Sequence, residues 1–382
     1  MWRLISGNYN ALPESLVKIK KELKRKSKQI FKKSLPILLP EEQIIVQQIT
    51  EKTILLNKNN ITRTKAYLDF YLRHPEIHWA FLGHMVSRNG GWNMTDLKGG
   101  ILPSILTKKE VVSYFTFLER GNWLIFQDAY PQFLIYEESK NRGMNLFHLL
   151  RTFYVSTFME TIWNHFWVKP ETYILAIALV INEQSYLEKK VLDNQSFKKE
   201  VFNTLEFKLQ DLLSLNHILF PYVKNEKTKL IGQTLHDFEN VHERIMLGKR
   251  LYEILFGDKN RLNLIKNWAM ATPHSGSRKD YWPHIFNSVD EGVPGGLFRP
   301  RLKSCQIVKG SPRIYSPKLE LVWKSVSQKS AEIGDWFTDY EIVDYLLDEK
   351  VPVNGEIEDE YCKTLERLEL AANTKKALSI LD

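Results

Sequence analysis

Cysteine is nearly absent from this chain of 382 residues: Cys305 and Cys362 are its two. Two cannot make the disulfide framework of a small secreted domain, and no Cys/His spacing suits a zinc site. Both thiols are expected to be reduced. Long apolar runs are also missing. The longest, Tyr173 to Ile181, is about half of the ~20 residues a membrane span needs, so it reads as a buried helix segment. The N-terminus has no apolar stretch of secretory-signal length, Gly is absent from position 2, and no Cys lies near Asp382. These absences favour the cytoplasm. The standard catalytic signatures are missing as well. There is no phosphate loop, since Gly248-Lys249 runs into Arg250, and neither a Gly-x-Gly-x-x-Gly nor a Gly-x-Ser-x-Gly sequence occurs. Glu239-x-x-His242 has no second copy to complete a carboxylate di-metal site. His74 and His78 are better read as cap or surface residues than as ligands, so no metal site is assigned and any cofactor is unknown.

What is present is charge of uneven placement. The net charge of +8 hides a basic head and an acidic tail. Residues 18–33 hold nine basic side chains and one acidic, whereas residues 330–382 hold 14 acidic and five basic. The basic run has helical periodicity in Leu16, Ile19, Leu23, Ile30 and Phe31, with Pro13 suited to its start and Pro36 to its stop. A basic amphipathic helix has three readings: it lies on an anionic membrane, it neutralises nucleic-acid phosphates, or it packs its stripe on the body and solvates its lysines. Docking of the acidic tail on it is compatible with each. A peripheral membrane contact is thus an alternative to a purely soluble location.

From Pro40 onward the apolar spacing is helical, with segments at 41–57, 61–74, 75–85, 107–120, 122–138, 144–167, 171–192, 197–217, 234–257 and 259–271, joined by short connections. Asn89-Gly90-Gly91 reads as a helix end. Residues 273–317 are rich in Pro and Gly and read as a loop excursion with one short strand at Cys305–Val308. Two helices, about 338–349 and 358–371, make up the acidic tail. The expectation is an all-α, multi-helix globular fold: a basic segment 1–36, a helical core domain 37–329 and an acidic helical appendage 330–382.

Three segments concentrate polar groups beside aromatics. Around the Gly pair, Arg88, Asn89, Asn93 and Asp96 offer donors and a carboxylate for ligand binding; a capped turn is the competing reading. Asn182-Glu183-Gln184 closes an apolar run, which makes Glu183 a candidate acid/base or a buried ion-pair partner for Arg244 or Arg63. Glu243 lies beside Arg244. Between Pro273 and Pro283, His274 is a candidate acid/base, and Ser277, Arg278, Lys279, Asp280 and Tyr281 are candidate ligand contacts for an anion. The competing reading is a self-satisfied latch anchored by Tyr281 and Trp282. Together these segments suggest one polar recess for an anionic small molecule, with acid–base hydrolysis or transfer as the possible chemistry. A binding or scaffolding protein using residues 18–33 is the rival, and an interface built on Trp79, Trp92, Trp163, Trp167 and Trp323 is a third possibility. Composition does not decide whether the chain is an enzyme, nor its oligomeric state.

The same segments, with Thr64–Tyr71 and Gly248-Lys249-Arg250-Leu251-Tyr252, resemble an uncharacterised Firmicute family, the YppC-like proteins, known as a domain of unknown function. The resemblance covers about residues 40–325. It implies a bacterial, cytoplasmic protein, and it brings no activity, cofactor or catalytic residue.

Overall fold

The computed structural model describes residues 13–28, 36–192, 216–292, 300–331, 333–347 and 353–381. Helices dominate, as the apolar spacing requires. In chain order they are α1 Glu14–Ser27, α2 Pro40–Leu56, α3 Asn60–Arg73, α4 His78–Asp96, α5 Leu102–Ile105, α6 Lys108–Arg142, α7 Thr157–Val168, α8 Thr172–Leu187, α9 Val241–Phe256, α10 Lys259–Ala271, α11 Leu319–Val322 and α12 Glu358–Leu381. Short 3-10 turns cover Phe147–Phe153 and Tyr340–Leu346.

The apolar run of α8 explains its central place. Leu175 to Ile181 are all buried, and a helix that is apolar all round must be covered on every side. The surrounding helices are α4, α6, α7 and α9. Gly248 makes the α9 contact close, since a Cβ there would collide with Val180 of α8.

Several boundaries differ from the sequence expectation. Gly90 and Gly91 do not end a helix but lie inside α4. A Cβ on Gly91 would strike Asn60 Oδ1 and the His274 ring, and one on Gly90 would press on the Asn122 amide, so these glycines serve close packing. The segments 107–120 and 122–138 form one helix, α6, which runs through Gly121 and Pro131. The helix expected at 197–217 falls mostly outside the described residues, and its last residue opens a strand. β1 His217–Lys224 and β2 Lys227–Thr234 form an antiparallel hairpin with Lys224 opposite Lys227. Its two turn residues, Asn225 and Glu226, have φ of 50° and 60°, the left-handed pair that matches strand twist. The short strand expected near Cys305 exists as β5 Gln306–Ile307, paired with β4 Leu302–Lys303; β3 Phe286–Asn287 and β6 Ile314–Tyr315 pair in parallel.

The reduced-thiol expectation is corrected: Cys305 and Cys362 are joined, with their Cα atoms 5.4 Å apart, the usual span of a disulfide. The link ties the β4–β5 turn to α12, and it removes one argument made for the cytoplasm. Within residues 13–28, α1 buries Leu16, Ile19 and Leu23 against α7 and the 340–346 turn. Lys20 reaches Glu341 at 2.5 Å and Asp344 at 3.0 Å, so the acidic tail does meet the basic helix. Residues 29–33 of the basic run lie outside the described residues. Trp79, Trp92 and Trp163 are core residues, Trp323 stacks on Phe115 at 3.8 Å, and Trp167 is half-buried.

Candidate functional site

Helix α4 separates two polar neighbourhoods. At 100° per residue, Leu82, Gly83, Val86, Ser87, Gly90 and Asn93 share one stripe, whereas His84, Arg88, Gly91 and Thr95 face the other way. The first stripe forms a wall of a cavity of about 250 Å³. Helix α8 adds Val180, Glu183, Gln184 and Leu187, spaced i, i+3, i+4 and i+7 so that they too form one stripe. Helices α3, α6 and α9 and the hairpin close the space with mostly apolar side chains, among them Tyr67, Phe117, Ile125, Ile218 and Leu247.

Glu183 is the notable polar group of this cavity. Burial pushes its pKa up to about 7, against a hydrogen bond from Trp79, the charge of Arg244 and a hydrogen bond from Gln184. The Gln184 amide donates to Glu183 Oε1 at 3.0 Å and accepts from Arg244 Nε at 2.9 Å. Arg244 is itself paired with Glu188 at 2.5 Å and donates to the Phe238 carbonyl. It therefore reaches Glu183 through an amide rather than by direct contact, and the ion pair anticipated from sequence is indirect. Arg63, the other arginine of the cavity wall, is paired with Glu119 at 2.5 Å. Burial pushes Glu119 upward and Arg63 opposes it. The hydroxyls of Tyr67 and Tyr114, two further wall residues, have no hydrogen-bond partner among the described residues.

The loop at 272–284 builds the second neighbourhood on the far side of α4. His274 Nε2 meets Asn60 Oδ1 at 2.8 Å, and Asn60 donates to the Ser87 carbonyl at 2.9 Å. Burial pushes the His274 pKa down, against the pull of Asp280. Burial alone would raise Asp280, but the His274 ring and the hydrogen bonds from Ser275 outweigh it and hold it below the usual range. Arg278 is enclosed by partners: Nε donates to Asp96 at 2.7 Å, Nη1 to the Tyr281 and Tyr361 hydroxyls at 2.8 Å each, and Nη2 to Asn93 at 3.0 Å. Burial pushes Asp96 up, and the Arg278 charge limits the rise. Ser277 donates to the Ser316 carbonyl. Lys279 reaches Asn287 at 3.1 Å.

Arg88 is fully buried, donates to the Thr272 carbonyl and lies 4.5 Å over the Trp268 ring. Asn89 holds the hairpin, accepting from the Leu219 amide at 2.8 Å and donating to its carbonyl at 3.0 Å. Glu243 lies in the first turn of α9 and does not line the cavity. The structure thus brings Glu183, Arg244 and Asn93 to one cavity. It places His274, Ser277, Lys279, Asp280, Tyr281 and Arg88 elsewhere, in contacts that fasten the loop to α4 and its neighbours. Asn93 is the point of contact, lining the cavity and accepting from Arg278.

Sequence reasoning missed two parts of this core. The Arg63–Glu119 pair joins helices 56 residues apart. The other is a network around Asp128, whose pKa burial pushes up to about 7. Asp128 accepts from Asn182 at 2.6 Å and Gln132 at 2.9 Å. Asn182 Oδ1 in turn accepts from Ser156 and Trp336, both at 2.8 Å. The available signal was a polar residue interrupting the apolar face of α6.

The sequence matches the model of a family described as a protein of unknown function (DUF2515) over residues 55–358. It is 43% identical over 236 residues to "Uncharacterized protein YppC" of Bacillus subtilis (strain 168), an overlap of 62% of this chain and 72% of that protein. No solved structure matches.

Proposed function

Because the chain belongs to the DUF2515 family, whose description names no activity, we propose a function from the cavity alone: it binds a small molecule with a largely apolar body, and Glu183 exchanges a proton with it. The observation that carries this reading is a carboxyl group on the wall of an apolar cavity, hydrogen-bonded by a neutral amide, where burial pushes its pKa up to about 7. A general acid or base is most effective when its pKa lies near the working pH, and perturbed carboxyls in apolar cavities mark functional sites. The family match spans every cavity residue named above. Acid–base hydrolysis or transfer fits the position of Glu183. An anionic substrate has less support, because Arg63 and Arg244 each carry a carboxylate partner and Arg88 and Arg278 are engaged outside the cavity.

The rival is a scaffold that uses the basic helix on an anionic surface. Its support is the outer face of α1, where Lys18 and Arg25 are exposed. Its weakness is that Leu16, Ile19 and Leu23, the described part of the apolar stripe, are docked on the protein's own body and are not available to a bilayer.

A library of small apolar fragments, screened by thermal shift, tests the cavity reading. Fragments that raise the melting temperature of the natural chain should fail to do so with Val86→Trp, which fills the cavity. Identical shifts in the two proteins would refute the assignment.

A further inference from the structure

We propose that the cavity selects a small hydrophobic primary amine, whose ammonium group pairs with Glu183; this rests on the reading of the cavity as a ligand site. Charge matching within the cavity favours such a ligand. Two arginines stand on the cavity wall, and each is paired with its own carboxylate: Arg63 with Glu119 and Arg244 with Glu188, both at 2.5 Å. Glu183 has no such partner. Its hydrogen bonds come from neutral groups, the Gln184 amide and Trp79, and among the described residues no cation lies within ion-pairing distance of it. When Glu183 ionises, its charge has no ion-pair partner among the described residues.

A buried carboxylate is costly until a cation joins it. A ligand ammonium group supplies that cation, and its three donors match the carboxylate oxygens. An alcohol would leave the charge unmatched, and a carboxylate would double it. The rest of the cavity favours the apolar portion of such a ligand. Tyr67 and Trp79, in edge contact with ring centres 5.4 Å apart, belong to the wall beside Glu183, and aromatic rings attract cations through their faces. The volume of about 250 Å³ equals that of roughly eight waters at about 30 Å³ each, which suits a short alkyl or aryl body.

Titratable and charged groups face the same cavity from the helices around Glu183. Helix α3 presents Arg63 and Tyr67, α6 presents Tyr114, and α9 presents Arg244. Glu119 and Glu188 neutralise the two arginines. On α4 the cavity face, with Trp79, Ser87 and Asn93 as its polar members, carries no titratable side chain among the described residues. Near pH 7 the carboxyl is therefore partly protonated, and an arriving ammonium ion displaces the proton into solvent.

Calorimetry on the full chain with hexylamine, 1-hexanol and hexanoate tests the proposal. An alkylamine has a lysine-like pKa and stays charged between pH 6 and pH 8. Hexylamine should bind at least about tenfold more tightly than 1-hexanol at pH 8, the effect of one charge-assisted bond. Its affinity should fall about tenfold from pH 8 to pH 6 as Glu183 takes up its proton. In buffers of different ionisation enthalpy, binding at pH 6 should release nearly one proton. Glu183→Gln should abolish both the preference and the release. Equal binding of all three probes, or a preference for hexanoate, would overturn the amine proposal and leave the ligand cavity standing. Binding of none would overturn the cavity reading with it. The pH dependence and proton release need no variant, so they hold even should Glu183→Gln fail to fold.

Discussion

At the scale of single residues, the chemistry of this protein turns on where carboxyl groups lose water. Glu183 and Asp128 both titrate near 7 because burial disfavours their charged forms. The sign of the consequence is fixed. Each folded-state pKa lies above its ordinary carboxyl value, so the folded protein binds more protons than the unfolded one between about pH 4 and pH 7. Stability therefore falls as pH rises through that window and levels off above it. Glu183→Gln should flatten part of this slope and stabilise the protein above pH 7 by about 1–3 kcal/mol, read from urea midpoints at pH 5, 6, 7 and 8. An unchanged slope would mean that Glu183 ionises freely. Glu183 was readable in the sequence as a carboxyl closing an apolar run. Arg88, Arg278 and His274 had the right chemistry for a site as well, but side-chain type alone does not show whether an arginine meets a ligand or a backbone carbonyl.

At the scale of elements, α4 shows how packing overrides local signals. Two adjacent glycines cost a helix roughly 1 kcal/mol each, and on that ground Asn89-Gly90-Gly91 reads as an end. The helix continues because its neighbours approach closely. Gly91 admits the Asn60 side chain and the His274 ring, whereas Gly90 meets only the Asn122 side chain. The two positions should therefore respond differently. Gly91→Ala should destabilise by about 1–3 kcal/mol through overpacking, while Gly90→Ala, with helix propensity in its favour, should remain near neutral. Denaturant titration of both variants checks the contrast, and equal losses would refute the close-approach account. The hairpin was missed for a related reason. Asn225-Glu226 takes a turn usually signalled by Asn-Gly, so the local sequence lacked its strongest mark.

At the scale of the whole molecule, α1 and α12 are fastened to other described elements. Lys20 of α1 meets Glu341 and Asp344. Cys362 of α12 is bonded to Cys305 across 57 residues, and beside it Tyr361 accepts from Arg278. Closing a loop of that length restricts the unfolded chain by about 4 kcal/mol. Cys305→Ser should lower stability by up to that amount, and a reducing agent should bring the natural chain to the same midpoint without affecting the variant. No effect of reductant on the natural chain would count against a structural role for the link.

The helical class, the buried character of α8 and the opposite charges of the two terminal segments were legible from residue order, because periodicity and composition are local quantities that survive any arrangement of the elements. Residue order also singled out the loop at 273–284 as unusual. That this loop fastens to α4, that Arg63 and Arg244 carry their own counter-charges, and that Glu183 faces the cavity with no ion-pair partner among the described residues emerged with the tertiary contacts. Those facts depend on which groups remain within a few ångströms of one another once water is excluded, and the helices that carry them meet only in the folded chain.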